Sequence, residues 1–120
     1  MHFKTFLLAG LCLAAGLSSR ATATIANLAA LRSYTYTPGN ESVFVQGYAT
    51  VDDGGQGFFA WDAASGQADN DGTVIQVGST SGRWMRIYSG AMSVKWFGAK
   101  GDSVTNDQPA ISHALNAALN

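Results

Sequence analysis

The chain has a single cysteine, Cys12, and it lies in an N-terminal stretch that reads as an export signal. With that stretch removed, disulfides, a thiolate nucleophile and cysteine-based metal sites are excluded. Charge is scarce as well: 12% of the 120 residues are charged, seven basic and eight acidic. Loss of Lys4 and Arg20 leaves five basic residues against eight acidic ones, a net charge of about −3. That balance argues against nucleic acid or an anionic membrane as partner, since both call for a basic face. One histidine, His113, remains, with no cysteine or second histidine beside it to share a metal. No apolar run reaches the roughly 20 residues that an ordinary membrane-spanning helix needs. Nor is there an internal repeat of solenoid period.

What is present suits an exported, turn-rich β protein. Fourteen glycines accompany the low charge, a composition unlike that of a disordered tail. Lys4 gives a positive start, residues 5–17 form a short apolar run, and Ala21-Thr22-Ala23 is a small-x-small cleavage site. Residues 1–23 are therefore expected to be a signal peptide, and the protein to be secreted, extracellular or periplasmic. Residues 24–41 read as a helix and linker, with Thr24 capping a helix over 25–32 and Pro38-Gly39-Asn40 as a turn. Residues 42–90 read as a small β-rich domain. Its strands are expected at 42–51, 57–62, 73–77 and 83–88, separated by Asp52-Asp53-Gly54-Gly55, the polar loop 63–72 and the turn 78–82. Short strands at roughly ten-residue spacing suggest a small antiparallel sheet or partial barrel.

Residues 91–120 form the last unit. Val94–Phe97 reads as a short strand, residues 98–102 as a glycine-punctuated turn, and an amphipathic helix is expected from Gln108. Ala110, Ile111, Ala114, Leu115, Ala118 and Leu119 make one apolar stripe on that helix. Asp107 is placed to cap it, and Pro109 is tolerated in the first turn. The stripe needs something to cover.

The possible chemical sites are few. Asp52, Asp53 and Asp62 are the nearest approach to the carboxylate pair of glycosidic cleavage, but Asp52 and Asp53 lead into Gly-Gly and read as a hairpin turn. Asp69-x-Asp71-Gly72 lacks the further oxygen ligands of a calcium loop. His113 reads as an exposed helix residue, and Asp102 as the closure of the Gly101 turn. No catalytic, cofactor-binding or metal-binding residue is assigned. Trp61, Trp84 and Tyr88 are the candidates for carbohydrate contact, because aromatic rings on a sheet can stack on sugars; otherwise they belong to the core. Arg83 and Arg86 flank Trp84 and read as solvated members of an edge strand.

Residues 96–111, WFGAKGDSVTNDQPAI, resemble the opening motif of the pectate-lyase superfamily, usually F-G-A-x-G-D-G-x-T-D-D-T-x-A-I. That group includes polygalacturonase-like and rhamnogalacturonase-like proteins and phage tailspikes. Gly98, Gly101, Asp102 and Asp107 match the motif, whereas Ser103, Asn106 and Gln108 replace its usual Gly, Asp and Thr. A Ser103 forced to positive φ would carry about 1 kcal/mol of strain. GYATVDDGGQGFFAWD, DNDGTVIQVG and GRWMRIYSG resemble the small β domain that often precedes the β-helix in bacterial and phage members.

The resemblance implies a mainly β fold, in which a small antiparallel β domain leads into the opening strand and capping helix of a truncated right-handed parallel β-helix. It also implies the N-terminal part of a secreted polysaccharide hydrolase or lyase, inactive alone because the catalytic carboxylates of such proteins lie on later coils. The implied partners are a polysaccharide and either the missing C-terminal β-helix or a second copy of the chain; no cofactor is implied. Two other classes stay open: a carbohydrate-binding or adhesion module, and a tailspike-like assembly module docking through the C-terminal helix.

Overall fold

A computed structural model describes residues 22–120, so the expected signal segment lies almost wholly outside the described residues. Five strands form one mixed sheet: β1 (Ala23–Ile25), β2 (Ser42–Val45), β3 (Gly57–Asp62), β4 (Val74–Ile75) and β5 (Arg83–Arg86). Their spatial order is β1-β2-β3-β5-β4. All neighbours are antiparallel except β1 and β2, which run parallel in the register Ala23↔Val43, Thr24↔Phe44 and Ile25↔Val45. Two helices complete the fold, α1 (Leu28–Leu31) and α2 (Gln108–Leu119). No described helix is long and apolar enough to cross a membrane.

Alternation along the strands decides which side is core. Val43 and Val45 on β2, Phe59 on β3 and Trp84 on β5 are fully buried and share one face with Ile75. Leu28 and Leu31 of α1 close over that face. Tyr34 and Tyr36 seal its rim: Tyr36 stacks on Trp61 at 5.2 Å, and the Trp84 indole donates to the Tyr34 carbonyl at 3.2 Å. The opposite face carries Phe44 and Phe58, in mutual contact at 4.9 Å, with Phe58 half exposed.

Three local expectations change. The helix expected over 25–32 is shortened, because residues 23–25 satisfy their backbone as an edge strand on β2. Asn27, not Thr24, caps α1, its Oδ1 accepting from the Ala30 amide at 2.8 Å. The strand expected over 42–51 stops at Val45. Beyond it the chain wraps around Asp53, whose carboxylate accepts from the amides of Tyr48, Ala49, Thr50 and Gly55 at 2.8–3.0 Å. Val51 is left exposed in that wrap. Val94–Phe97, expected as a strand, is a 3₁₀ turn. Ser93 Oγ accepts from the Lys95 amide, and Gly98, at φ 97°, ends the turn. No coil of a parallel β-helix occurs among the described residues, whose strands all belong to the one sheet.

The Asp53 wrap makes a pH-dependent contribution. Partial desolvation pushes its carboxyl up, but the amides of Thr50, Ala49, Tyr48 and Gly55 outweigh it and hold the pKa at about 2, below the ordinary 3.8. A depressed acid stabilises the fold fully above its unfolded pKa and loses that contribution as pH falls through its folded pKa. The window is therefore from 3.8 down to about 2. Carboxyl titration by NMR is expected to place the Asp53 midpoint near the lower value, and Asp53→Asn to remove that part of the acid dependence of unfolding.

Candidate functional site

The functional features gather at the junction between the sheet and the C-terminal unit. Phe97 is buried there with Ala99, Ala110 and Ala114, and with Met92, Trp96 and Ala117 around them. Its ring lies flat on Gly72, where any Cβ would fall inside the ring's contact distance. That close approach explains a glycine at the end of the acidic loop. Arg86 bridges the two units from the other side. Its guanidinium sits 4.6 Å from the Phe59 ring centroid and 4.8 Å from that of Trp96.

Arg86 is buried against carbonyls rather than paired with a carboxylate. Nε donates to Gly72 O at 2.8 Å, Nη1 to Gln56 O at 3.1 Å and Nη2 to Gly55 O at 2.8 Å. Burial pushes its pKa down to about 10, which leaves it charged at neutral pH. Arg83 is buried too, donating to the carbonyls of Gln67, Thr80 and Gly82. Both arginines were expected on a solvated edge. β5 lies instead between β3 and β4, so its ends meet turns, whose free carbonyls take the guanidinium donors.

Asp69 and Asp71 form an ion-pair hub, not a calcium loop. Arg32, at the end of α1, donates to Asp69 at 2.9 and 3.2 Å and to Asp71 at 2.7 Å. Asp71 also accepts from the Tyr48 hydroxyl at 2.6 Å, and His113 of α2 stands 3.8 Å away. One carboxylate thus joins α1, the Asp53 wrap and α2. Burial and the bond to Asp71 push the Tyr48 phenol up to about 12. The hub's burial disfavours charge on Asp69, but Arg32 and the amides of Gln76 and Asp71 outweigh that and hold its pKa down.

The motif residues 98–107 serve the loop more than the helix. Asp107 stands at the N-terminus of α2 yet makes no side-chain cap. Its carboxylate accepts instead from the amides of Lys100 and Gly101 at 2.8 and 2.7 Å, and Asn106 Oδ1 takes the Gln108 amide. A helical φ,ψ of −86°, 0° at Asp107 turns its side chain back along the loop, which corrects the expected capping role. Asp102 closes a turn as expected, accepting from the amides of Val104 and Thr105 and from the Thr105 hydroxyl. Gly98 and Gly101 take φ of 97° and 65°, and Ser103 is held at 64° where the motif usually has glycine.

The three aromatic candidates separate. Trp84 is fully buried and unavailable to a ligand, because its register opposite Trp61 points it into the core. Trp61 is partly covered by Tyr36. Tyr88 is 41% exposed and set edge-on to Trp96 at 5.0 Å. Two clefts flank its ring. One is apolar, bounded by Met92, Val94, Ile111, Leu115 and Ala118; the other carries the amides of Gln67, Asn70, Asn116 and Asn120. Sequence reasoning missed the second cleft, because its sides come from a polar loop and the polar side of a distant helix.

The phage tail protein small four-stranded beta-sheet domain matches residues 24–89, more than half of the chain. The chain belongs to that family. The matched residues take in β2, β3, β4 and β5 and all but the first residue of β1, the parallel edge of the sheet. The family match ends short of residues 96–111, which carry the pectate-lyase-like motif.

Solved structures extend the likeness beyond the tail β domain. Full-length tailspike protein 2 from an Escherichia coli O157:H7 bacteriophage aligns at TM-score 0.69 and 22% identity, over 82% of this chain and 13% of that one. WceF of Pantoea stewartii, a glycan biofilm modifying enzyme with a tailspike-like parallel β-helix fold, aligns at 0.61 and 23%, over 75% and 13%. Tailspike gp49 of the Acinetobacter baumannii bacteriophage Fri1, a capsular polysaccharide depolymerase, aligns at 0.56 and 22%, over 65% and 14%. At these identities the likeness is one of fold, and the chain spans about one seventh of their length. No curated protein matches.

Proposed function

We propose that the phage tail β domain here is the assembly-bearing head of a tailspike-like polysaccharide depolymerase, holding α2 against the end of a parallel β-helix. The observation that carries this reading is the asymmetry of α2. Ala110 and Ala114 are buried against Phe97, while Ile111, Leu115 and Leu119 are 49%, 61% and 77% exposed. An exposed row of large apolar side chains on one side of a helix calls for a covering surface. The pectate-lyase-like motif immediately before the row suggests the cover, the first coils of a β-helix. The descriptions of gp49 and WceF support a polysaccharide as the substrate of the whole protein.

On this reading the catalytic groups lie on the coils. The carboxylates of Asp53, Asp62, Asp69, Asp102 and Asp107 are all committed to local donors here, which suits a scaffold. Export through residues 1–23 belongs to the same proposal, and N-terminal sequencing of exported protein is expected to begin at Thr24.

Reading the gene past the codon for Asn120 is expected to reveal β-helix coils in frame. A stop codon with no such coils in any frame overturns the proposal. In the protein that carries the coils, Leu115→Asp is expected to cost at least about 3 kcal/mol of stability, because it buries a charge without a partner. In the 120-residue chain alone the same exposed position should cost no more than about 0.5 kcal/mol. Thermal unfolding of the two pairs measures the difference.

A further inference from the structure

The second cleft beside Tyr88 has a volume of about 670 Å³, in the range of roughly 300–1,000 Å³ typical of small-ligand sites. Most of its polar side chains are neutral, and several are unengaged. Among the described residues, the side-chain amides of Gln67 and Asn116, the Asn120 carbonyl and the Tyr88 hydroxyl make no hydrogen bond within the protein. Asn70 is committed to the amides of residues 72–74, and Asp69, the one charged side chain of the lining, is paired with Arg32, which it shares with Asp71. Val74, Met85 and Met92 supply an apolar floor.

Side-chain amides both donate and accept, as sugar hydroxyls do, whereas a cleft for an acidic ligand needs an uncommitted cation. Lys95 and Lys100 lie in a different groove, on the Asp53 side. An exposed phenol ring beside such amides offers a flat apolar face to the C–H side of a pyranose and a polar tip to its hydroxyls. We propose that this cleft binds a short neutral oligosaccharide, with Tyr88 as the stacking wall and Gln67, Asn116 and Asn120 as the hydroxyl readers. The proposal does not depend on the β-helix reading. Gene sequence past Asn120 tests that one, and ligand binding by the chain tests this one.

The test is two-dimensional amide NMR of the full 120-residue chain with gluco-, galacto- and manno-trisaccharides, and with trigalacturonate as the charged counterpart. At least one neutral trisaccharide is expected to shift the side-chain amide signals of Gln67, Asn116 and Asn120 saturably. Asn116→Leu, on the exposed side of α2, is expected to weaken that binding about tenfold, and Tyr88→Ala at least as much. Tyr88→Phe, which keeps the ring and its packing on Trp96, should stay within about threefold of the wild type. The backbone spectrum of each variant reports its fold, and Asn116→Leu decides if Tyr88→Ala is disrupted. The proposal is overturned if no neutral probe moves those amides, if trigalacturonate binds more tightly, if a peptide-like additive alone occupies the cleft, or if Asn116→Leu binds unchanged.

Discussion

Arg86→Leu is expected to lower the unfolding free energy by about 3–5 kcal/mol. Three carbonyls, those of Gly55, Gln56 and Gly72, would lose their donor together inside the fold. Each unsatisfied buried carbonyl costs about 1–3 kcal/mol, and leucine's own burial recovers only part of the sum. Arg86→Lys should rescue little. An ammonium cannot serve three carbonyls from one planar fork or lie flat between Phe59 and Trp96. For a domain of this size the leucine variant should melt at least about 12 °C below the wild type. Urea titration of both variants checks the ranking, and a lysine variant of full stability would refute the account of Arg86 as a carbonyl clamp.

Phe97→Ala is the second large effect, and it is expected to be local. The ring is the centre of the small junction core, with one face on Gly72. Its removal should cost about 3–5 kcal/mol, as for large-to-alanine changes in packed cores. The core of the sheet is a separate cluster built on Phe59, Trp84, Val43 and Val45, and it does not include Phe97. Hydrogen exchange should therefore rise throughout α2 while the amides of β3 and β5 stay protected. Uniform loss of protection in both regions would mean that sheet and helix unfold as one unit.

The sheet was legible where its residues carry their own alternation. Phe58, Phe59 and Trp61 on β3, and the pair 73–77 with 83–88, announce strands because β-branched and aromatic residues lie between glycine turns. β1 was hidden, since three residues are too few to show a period and its pairing is with a strand nearly twenty residues on. Val94–Phe97 misled for the same reason: four residues of alternating character fit a strand or a 3₁₀ turn, and the Ser93 cap decides between them. The apolar stripe of α2 was read correctly, but not its division between a packed part at Ala110 and Ala114 and an open part at Leu115 and Leu119.

The junction was the least legible part. Arg86 looks like a surface cation when only its strand neighbours are considered; its partners come from turns 14–31 residues away. Asp71 joins Arg32, Tyr48 and His113, and no local spacing announces a hub of that kind. Trp84 and Tyr88, only four residues apart, have opposite fates because one lies in the register of β3 and the other lies past the end of β5.

The parallel pairing of β1 with β2 has a mechanical consequence. When two paired strands are drawn past each other along their length, all their hydrogen bonds bear the load at once; when they are peeled apart, the bonds fail one by one. A pull on the N-terminus at Thr24, directed along the strand axis, loads the pairs Thr24↔Phe44 and Ile25↔Val45 together. Peeling is confined to a pull across the sheet. The resistance of this small domain to stretching therefore depends on the direction of the force, and a pull on the N-terminus along β1 meets it on its stiffest axis.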